Sequence, residues 1–145
     1  MLILMKNIKN IKNNIFTIIL SAIILLLLDS IYLSSVSNHY NNLLLKIQGS
    51  KITIKLSSVM LCYILLVGGL NYFILLNNTL NNKQKLINAF ILGLVIYGIY
   101  ETTNYAIFND WSIFALITDS LWGGILFLLT TLIITHLTKL TKLTN

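Results

Sequence analysis

Four runs of about twenty apolar residues, separated by short polar stretches, are what most constrains this chain. They lie at about residues 15–36, 56–76, 86–106 and 113–136. A helix rising about 1.5 Å per residue needs about 20 such residues to cross about 30 Å of hydrocarbon. The intervening segments, "SNHYNNLLLKIQGSKITIK", "NNTLNNKQK" and "FNDWS", are short, and short connections favour antiparallel neighbours. The expected fold is all-α: a polytopic membrane protein built as a compact antiparallel bundle of four transmembrane helices. It forms a single domain over 15–137, with a basic N-terminal segment at 1–14 and a basic C-terminal tail at 138–145.

Composition supports the same class. The chain is 57% hydrophobic and only 10% charged, whereas charged residues make up about a quarter of an ordinary soluble domain. The net charge of +6 comes from ten lysines, all outside the apolar runs, where membrane proteins keep their anchors. That placement argues against nucleic acid as a partner and for the lipid bilayer. Lysine bias also sets an orientation. With the N-terminus inside, Lys6, Lys9, Lys12, Lys83, Lys85, Lys139 and Lys142 face the cytoplasm, against Lys46, Lys51 and Lys55 outside. Both termini are therefore expected to be cytoplasmic. A signal-peptide reading of the first run is disfavoured by Asp29 and by the lack of a small-residue cleavage site. In the tails, "KNIKNIKNN" and "THLTKLTKLT" place Ile8 and Ile11, or Leu137, Leu140 and Leu143, beside lysines. That pattern suits either a short interfacial helix or low-complexity sequence without a role. The lone cysteine, Cys62, has no intrachain disulfide partner and reads as a small hydrophobe.

Three of the four acids fall inside spans: Asp29, Glu101 and Asp119. An ionisable group in hydrocarbon costs roughly 2.5–3.5 kcal/mol even on a lenient insertion scale. Counted along the helices, all three stand about 21–22 Å from the cytoplasmic side. Each has aromatic or amide companions three or four residues away, on its own helical face. Asp29 has Tyr32, Glu101 has Tyr97, Asn104 and Tyr105, and Asp119 has Trp122. Tyr100, beside Glu101, completes the candidate polar layer. "DSIY" at 29–32 and "DSLW" at 119–122 are near copies on oppositely directed spans, a short echo of an inverted repeat. No lysine or arginine lies within a span, so each acid must be protonated, hydrogen-bonded to Tyr, Asn or Trp donors, or paired with a cation from elsewhere. The plainer reading is interhelical glue, worth about 0.6 kcal/mol per contact.

Other features are more neutral. Gly68, Gly69, Gly93, Gly98, Gly123 and Gly124 are expected to let helices approach, and Asn71 to bond across helices. His39 and His136 sit near opposite faces; His39 is placed to approach the acid layer from its loop. No metal-ligand spacing and no phosphate-cradling glycine motif is present, so no metal and no cofactor is expected.

At the acidic residues the chain resembles the four-span predicted membrane proteins catalogued as domain of unknown function 2177. The resemblance rests on Asp29-Ser30-Ile31-Tyr32-Leu33, on Tyr97-Gly98-Ile99-Tyr100-Glu101-Thr102-Thr103-Asn104-Tyr105-Ala106, on Asp119-Ser120-Leu121-Trp122-Gly123, and on Trp111 in the short third loop. It covers about residues 15–137. Tyr32 stands where the family pattern has tryptophan, and Glu101 where it has aspartate. The resemblance implies the four-span fold and the acidic site, and it supplies no activity.

Three functions compete. First is a pathway for a small cation or proton, or a carrier for a cationic solute, with Asp29, Glu101 and Asp119 as its site and homodimerisation completing the path. Tyr97, Tyr100, Asn104 and Trp122 would line or close it. Ranked narrowly below is a noncatalytic assembly or partner-binding protein with a structural polar layer. Third is an intramembrane lipid-modifying enzyme, disfavoured because no nucleophile with a positioned base is present, so no catalytic residue is assigned.

Overall fold

The computed structural model describes the backbone of residues 2–143 and the side chains of residues 10–139. Helix α1 spans Leu2–Gln48, α2 Leu56–Leu70, α3 Asn82–Ile107 and α4 Ile113–Leu143, and a π turn over Asn71–Leu75 continues α2. Four helical stretches are long and apolar enough to cross a membrane: Asn10–Gln48, Leu56–Leu75, Asn82–Ile107 and Ile113–Lys139. The all-helical, four-span architecture is the one the apolar runs predict. The tail stripes fall partly outside the described side chains, at Ile8, Leu140 and Leu143.

The first connection differs from expectation. Residues 37–48, read as loop, are helical and continue α1 to about 70 Å at 1.5 Å per residue, well beyond one bilayer core. His39 is therefore helical. The reason lies in Tyr40, Leu43, Leu44 and Ile47, an i, i+3, i+4, i+7 stripe that packs on Trp111 and Ala115 in a small core separate from the main one. The polar residues between them take the other face. Gly49 stops the helix with a left-handed φ of 70°, its N–H bonded to the Leu45 carbonyl at 3.0 Å. α3 begins with a reciprocal cap: the Asn81 side chain accepts from the Gln84 N–H, and the Gln84 side chain accepts from the Asn81 N–H, both at 2.9 Å.

Packing between α3 and α4 is set by glycine. A Cβ on Gly93 would run into the Gly123 carbonyl, and one on Gly123 into the Tyr97 ring; Gly124 lies against Phe90 in the same way. Gly68 and Gly69 have nothing within 4 Å of a would-be Cβ. The close-approach role expected of all six span glycines thus belongs to Gly93, Gly123 and Gly124, because only there do two backbones meet.

The main core joins Leu25 of α1, Leu66, Val67 and Leu70 of α2, Ala89 of α3, and Leu126 and Phe127 of α4. Ile15, Ile19, Ile23, Leu27 and Ile31 stay exposed along the other side of α1, as suits a lipid-facing stripe. Asn71, at the start of the π turn, donates to Ser21 Oγ at 2.8 Å and to the Val67 carbonyl at 2.9 Å, the interhelical bond expected of it.

Candidate functional site

Two acids form a reciprocal clasp between α1 and α4. Trp122 Nε1 donates to Asp29 Oδ1 at 2.8 Å, and the Tyr32 hydroxyl donates to Asp119 Oδ1. The two rings stack, with centroids 4.4 Å apart and planes 10° from parallel. In antiparallel register, an acid with an aromatic donor three residues later on each helix puts each donor opposite the other helix's acid. The near-copies "DSIY" and "DSLW" are the sequence form of this arrangement. The donors thus reach across to the facing helix. The same-helix companions named from spacing do not bond to their own acids, because residues three apart share a face and project together toward the neighbour. Carried further along α1, the register sets Leu25 opposite Leu126 and Ser21 opposite Thr130, all four fully buried.

Asp29 is fully served. Its second oxygen, Oδ2, accepts from the Tyr63 hydroxyl of α2 at 2.7 Å. Helical spacing around the acids does not single out Tyr63, yet a depth count marks it: Tyr63 is seven residues into α2 and Asp119 six into α4, both about 10 Å from the end where those helices start.

Glu101 is 0% exposed and only half served. Its Oε2 accepts from Trp111 Nε1 at 2.8 Å, and its Oε1 is buried without a partner. Trp111 reaches it from the short loop after α3, held down by Leu43 and Ala115. The resemblance points to Trp111; its role as donor to Glu101 needs the fold. Three more unpaired polar atoms are buried in this region: Asn104 Nδ2 one turn along α3, and His39 Nε2 and Tyr40 Oη on the α1 extension. Tyr40 lies beside Asp119 and within electrostatic range of Glu101, as Glu101 is of Asp119. The His39 ring meets Tyr40 and Phe114 edge-on, at 5.8 and 5.1 Å. It sits on the α1 extension and not on a loop, and its ring contacts are with these two aromatics, none with an acid. The stripe holding Tyr40, Leu43, Leu44 and Ile47 is the sequence signal for this part of the site.

The remaining candidates divide. Tyr97 packs against Gly123, within electrostatic range of Asp29 and Asp119. Tyr100 is 62% exposed and Tyr105 is exposed as well, and neither bonds to an acid. Asp29, Tyr32, Asp119 and Trp122 are bonded together; Glu101 is bonded to Trp111 and is only within electrostatic range of Asp119, and Asn104 stands one turn along α3 from it. Among the described residues no three His, Cys, Asp or Glu side chains are grouped to hold a metal ion.

A cup of about 260 Å³ opens at the end of the bundle where α1 ends and α4 begins, lined by His39, Asn42, Leu43, Lys46, Asp110 and Ser112. His39 belongs both to this cup and to the unpaired set.

No curated protein and no solved structure matches the chain. The family described as predicted membrane protein (DUF2177) matches residues 14–136, which hold all three span acids and their donors. The chain belongs to that family of predicted membrane proteins.

Proposed function

We propose that this integral membrane protein binds a small cation or proton at its intramembrane carboxyls and passes it across the bilayer. The observation that carries the reading is the unequal service of the two buried span acids, Asp29 and Glu101. Asp29 has a donor on each oxygen, while Glu101 keeps one oxygen buried and unpaired. An unpaired buried acceptor costs about 1–3 kcal/mol, so the Glu101 end of the layer is where an occupant would be stabilised. The lysine bias supports an orientation with both termini cytoplasmic, which turns the cup outward. Four helices enclose little space, and a homodimer would complete a path. The basic segments at 1–14 and 138–145 would ride the cytoplasmic headgroups.

A second reading, in which the layer only holds the bundle, draws on the clasp itself, because stacked and reciprocally bonded rings are good glue. Flux separates the two. Purified protein in liposomes should carry protons or monovalent cations above the empty-vesicle rate, and Glu101→Gln should abolish that flux without lowering the thermal midpoint. Flux equal to empty liposomes across pH and cations, with Glu101→Gln changing stability alone, leaves the structural reading in possession.

A further inference from the structure

The cup at the end of the bundle carries a chemistry separate from the acid layer. One wall is a single helical face: His39, Asn42, Leu43 and Lys46 of the α1 extension stand at i, i+3, i+4 and i+7. The other is the loop before α4, with Asp110 and Ser112. Lys46 and Asp110 thus line one hollow with opposite charges, and among the described residues neither makes an ion pair or a side-chain hydrogen bond. Both side chains are exposed, so a ligand can reach them. From this pairing we infer that the cup binds the headgroup of a zwitterionic phospholipid of the ethanolamine class, its phosphate on Lys46 and its ammonium on Asp110. The site lies apart from the carboxyls inside the bilayer, and it stands without the transport reading.

Size, lining and position select that ligand. A volume of about 260 Å³ falls below the roughly 300–1,000 Å³ of sites for drug-sized molecules, and suits a headgroup. A purely anionic headgroup would meet the like charge of Asp110, and a simple cation that of Lys46. Beside Lys46 stand the Asn42 amide and the Ser112 hydroxyl; the Ser112 oxygen accepts from the Ala115 N–H at 3.3 Å, which leaves its O–H free to donate to a phosphate oxygen. The lining holds no tryptophan, tyrosine or phenylalanine to cage a quaternary ammonium, whereas Asp110 accepts N–H bonds from a primary one. Asp110 and Ser112 immediately precede the span that begins at Ile113, where hydrocarbon gives way to headgroups. A lipid is favoured over a free solute because the wall of the cup runs into an apolar flank. The Phe114 ring meets His39 at 5.1 Å, and Ile113, Phe114 and Ile117 form an exposed face of α4 on which an acyl chain can lie.

The test is competition. The purified full-length protein in detergent is equilibrated with equal amounts of phosphatidylethanolamine, phosphatidylcholine and phosphatidylglycerol bearing identical acyl chains, and the lipid retained is read by native mass spectrometry. The wild type should retain phosphatidylethanolamine about ten-fold over each of the others, the increment of one good hydrogen bond. Asp110→Asn should bring phosphatidylethanolamine down to the level of phosphatidylcholine and raise phosphatidylglycerol, while Lys46→Gln should lower phosphatidylethanolamine and phosphatidylglycerol together. Both side chains are exposed, and surface substitutions of this kind spare the fold. Equal retention of the three lipids overturns the inference, as does a preference for phosphatidylglycerol in the wild type. A phosphatidylethanolamine preference that survives both substitutions overturns it too, because the lipid then sits elsewhere. Free phosphoethanolamine at the lipid's concentration should leave the bound lipid in place; displacement one for one would make the ligand a soluble zwitterion and overturn the assignment to a lipid. None of these outcomes bears on flux through the acid layer, which is measured separately.

Discussion

Asp29, Tyr32, Asp119 and Trp122 show how a costly residue becomes tolerable in hydrocarbon: each carboxyl is met by an aromatic donor whose ring also fills the helix interface. Two predictions belong at this scale. Trp122→Phe keeps the stack and removes the N–H, leaving one Asp29 oxygen unpaired. Reversible unfolding in mixed micelles should show a loss of about 1–2 kcal/mol, more than the ~0.6 average for an interhelical bond in a membrane because an acceptor is stranded. Tyr32→Trp supplies an N–H in place of the O–H and matches the residue usual in the family pattern, so it should fold within about 0.5 kcal/mol of wild type, while Tyr32→Phe should behave like Trp122→Phe. Equal stability for all three would mean that the clasp contributes nothing. The acids themselves are legible as an oddity of three costly groups at one depth. Which donor serves which acid is not, because the bonds run between residues 87 and 93 positions apart, and local spacing carries no information about them.

Among the elements, α3 and α4 are the pair held by backbone contact. Gly93→Ala and Gly123→Ala each place a methyl against fixed partner atoms, and overpacking of this kind costs about 1–3 kcal/mol. Gly68→Ala and Gly69→Ala face open space within α2, and should be neutral or stabilising by up to about 1 kcal/mol through helix propensity. Thermal unfolding of the four variants side by side checks the contrast; a common penalty at all four positions would refute it. Six span glycines look alike in sequence, and only the pairing of helices tells the crowded ones from the open ones. The α1 extension is the opposite case. Its apolar stripe at Tyr40, Leu43, Leu44 and Ile47 is readable, but asparagines and a histidine among those residues favour a loop. The buried Trp111 that the stripe covers comes from the loop after α3. Leu43→Ser should therefore uncover Trp111: in a Trp122→Phe background, its fluorescence should become more accessible to a soluble quencher such as acrylamide, with far-UV helicity unchanged.

For the molecule as a whole, the consequence is an asymmetric bundle. One end carries the cup and the half-served Glu101; toward the other, below the clasp, Leu25, Leu126 and Phe127 fill the interior. If the cup faces outward, a Cys62→Ser protein carrying Asn109→Cys should react with a membrane-impermeant maleimide on intact cells, and one carrying Asn78→Cys only after permeabilisation. Both residues are exposed and lie in connections at opposite ends. The reverse pattern would invert the orientation and place the cup in the cytoplasm.

What the sequence determined by itself is the class of solvent and the number of crossings, because apolar length against bilayer thickness is a one-dimensional measure and every residue needed for it is local. It also located the acids, since an ionisable group in an apolar run is conspicuous wherever the run folds. The tertiary structure alone decided which of them is satisfied. Asp29 and Glu101 are both buried carboxyls flanked by aromatics in sequence. One is saturated by donors from α2 and α4, and the other keeps an open oxygen because its donor arrives from a loop and reaches one side of the carboxyl. Satisfaction is a property of facing helices and their register, and that is settled only when the four spans pack.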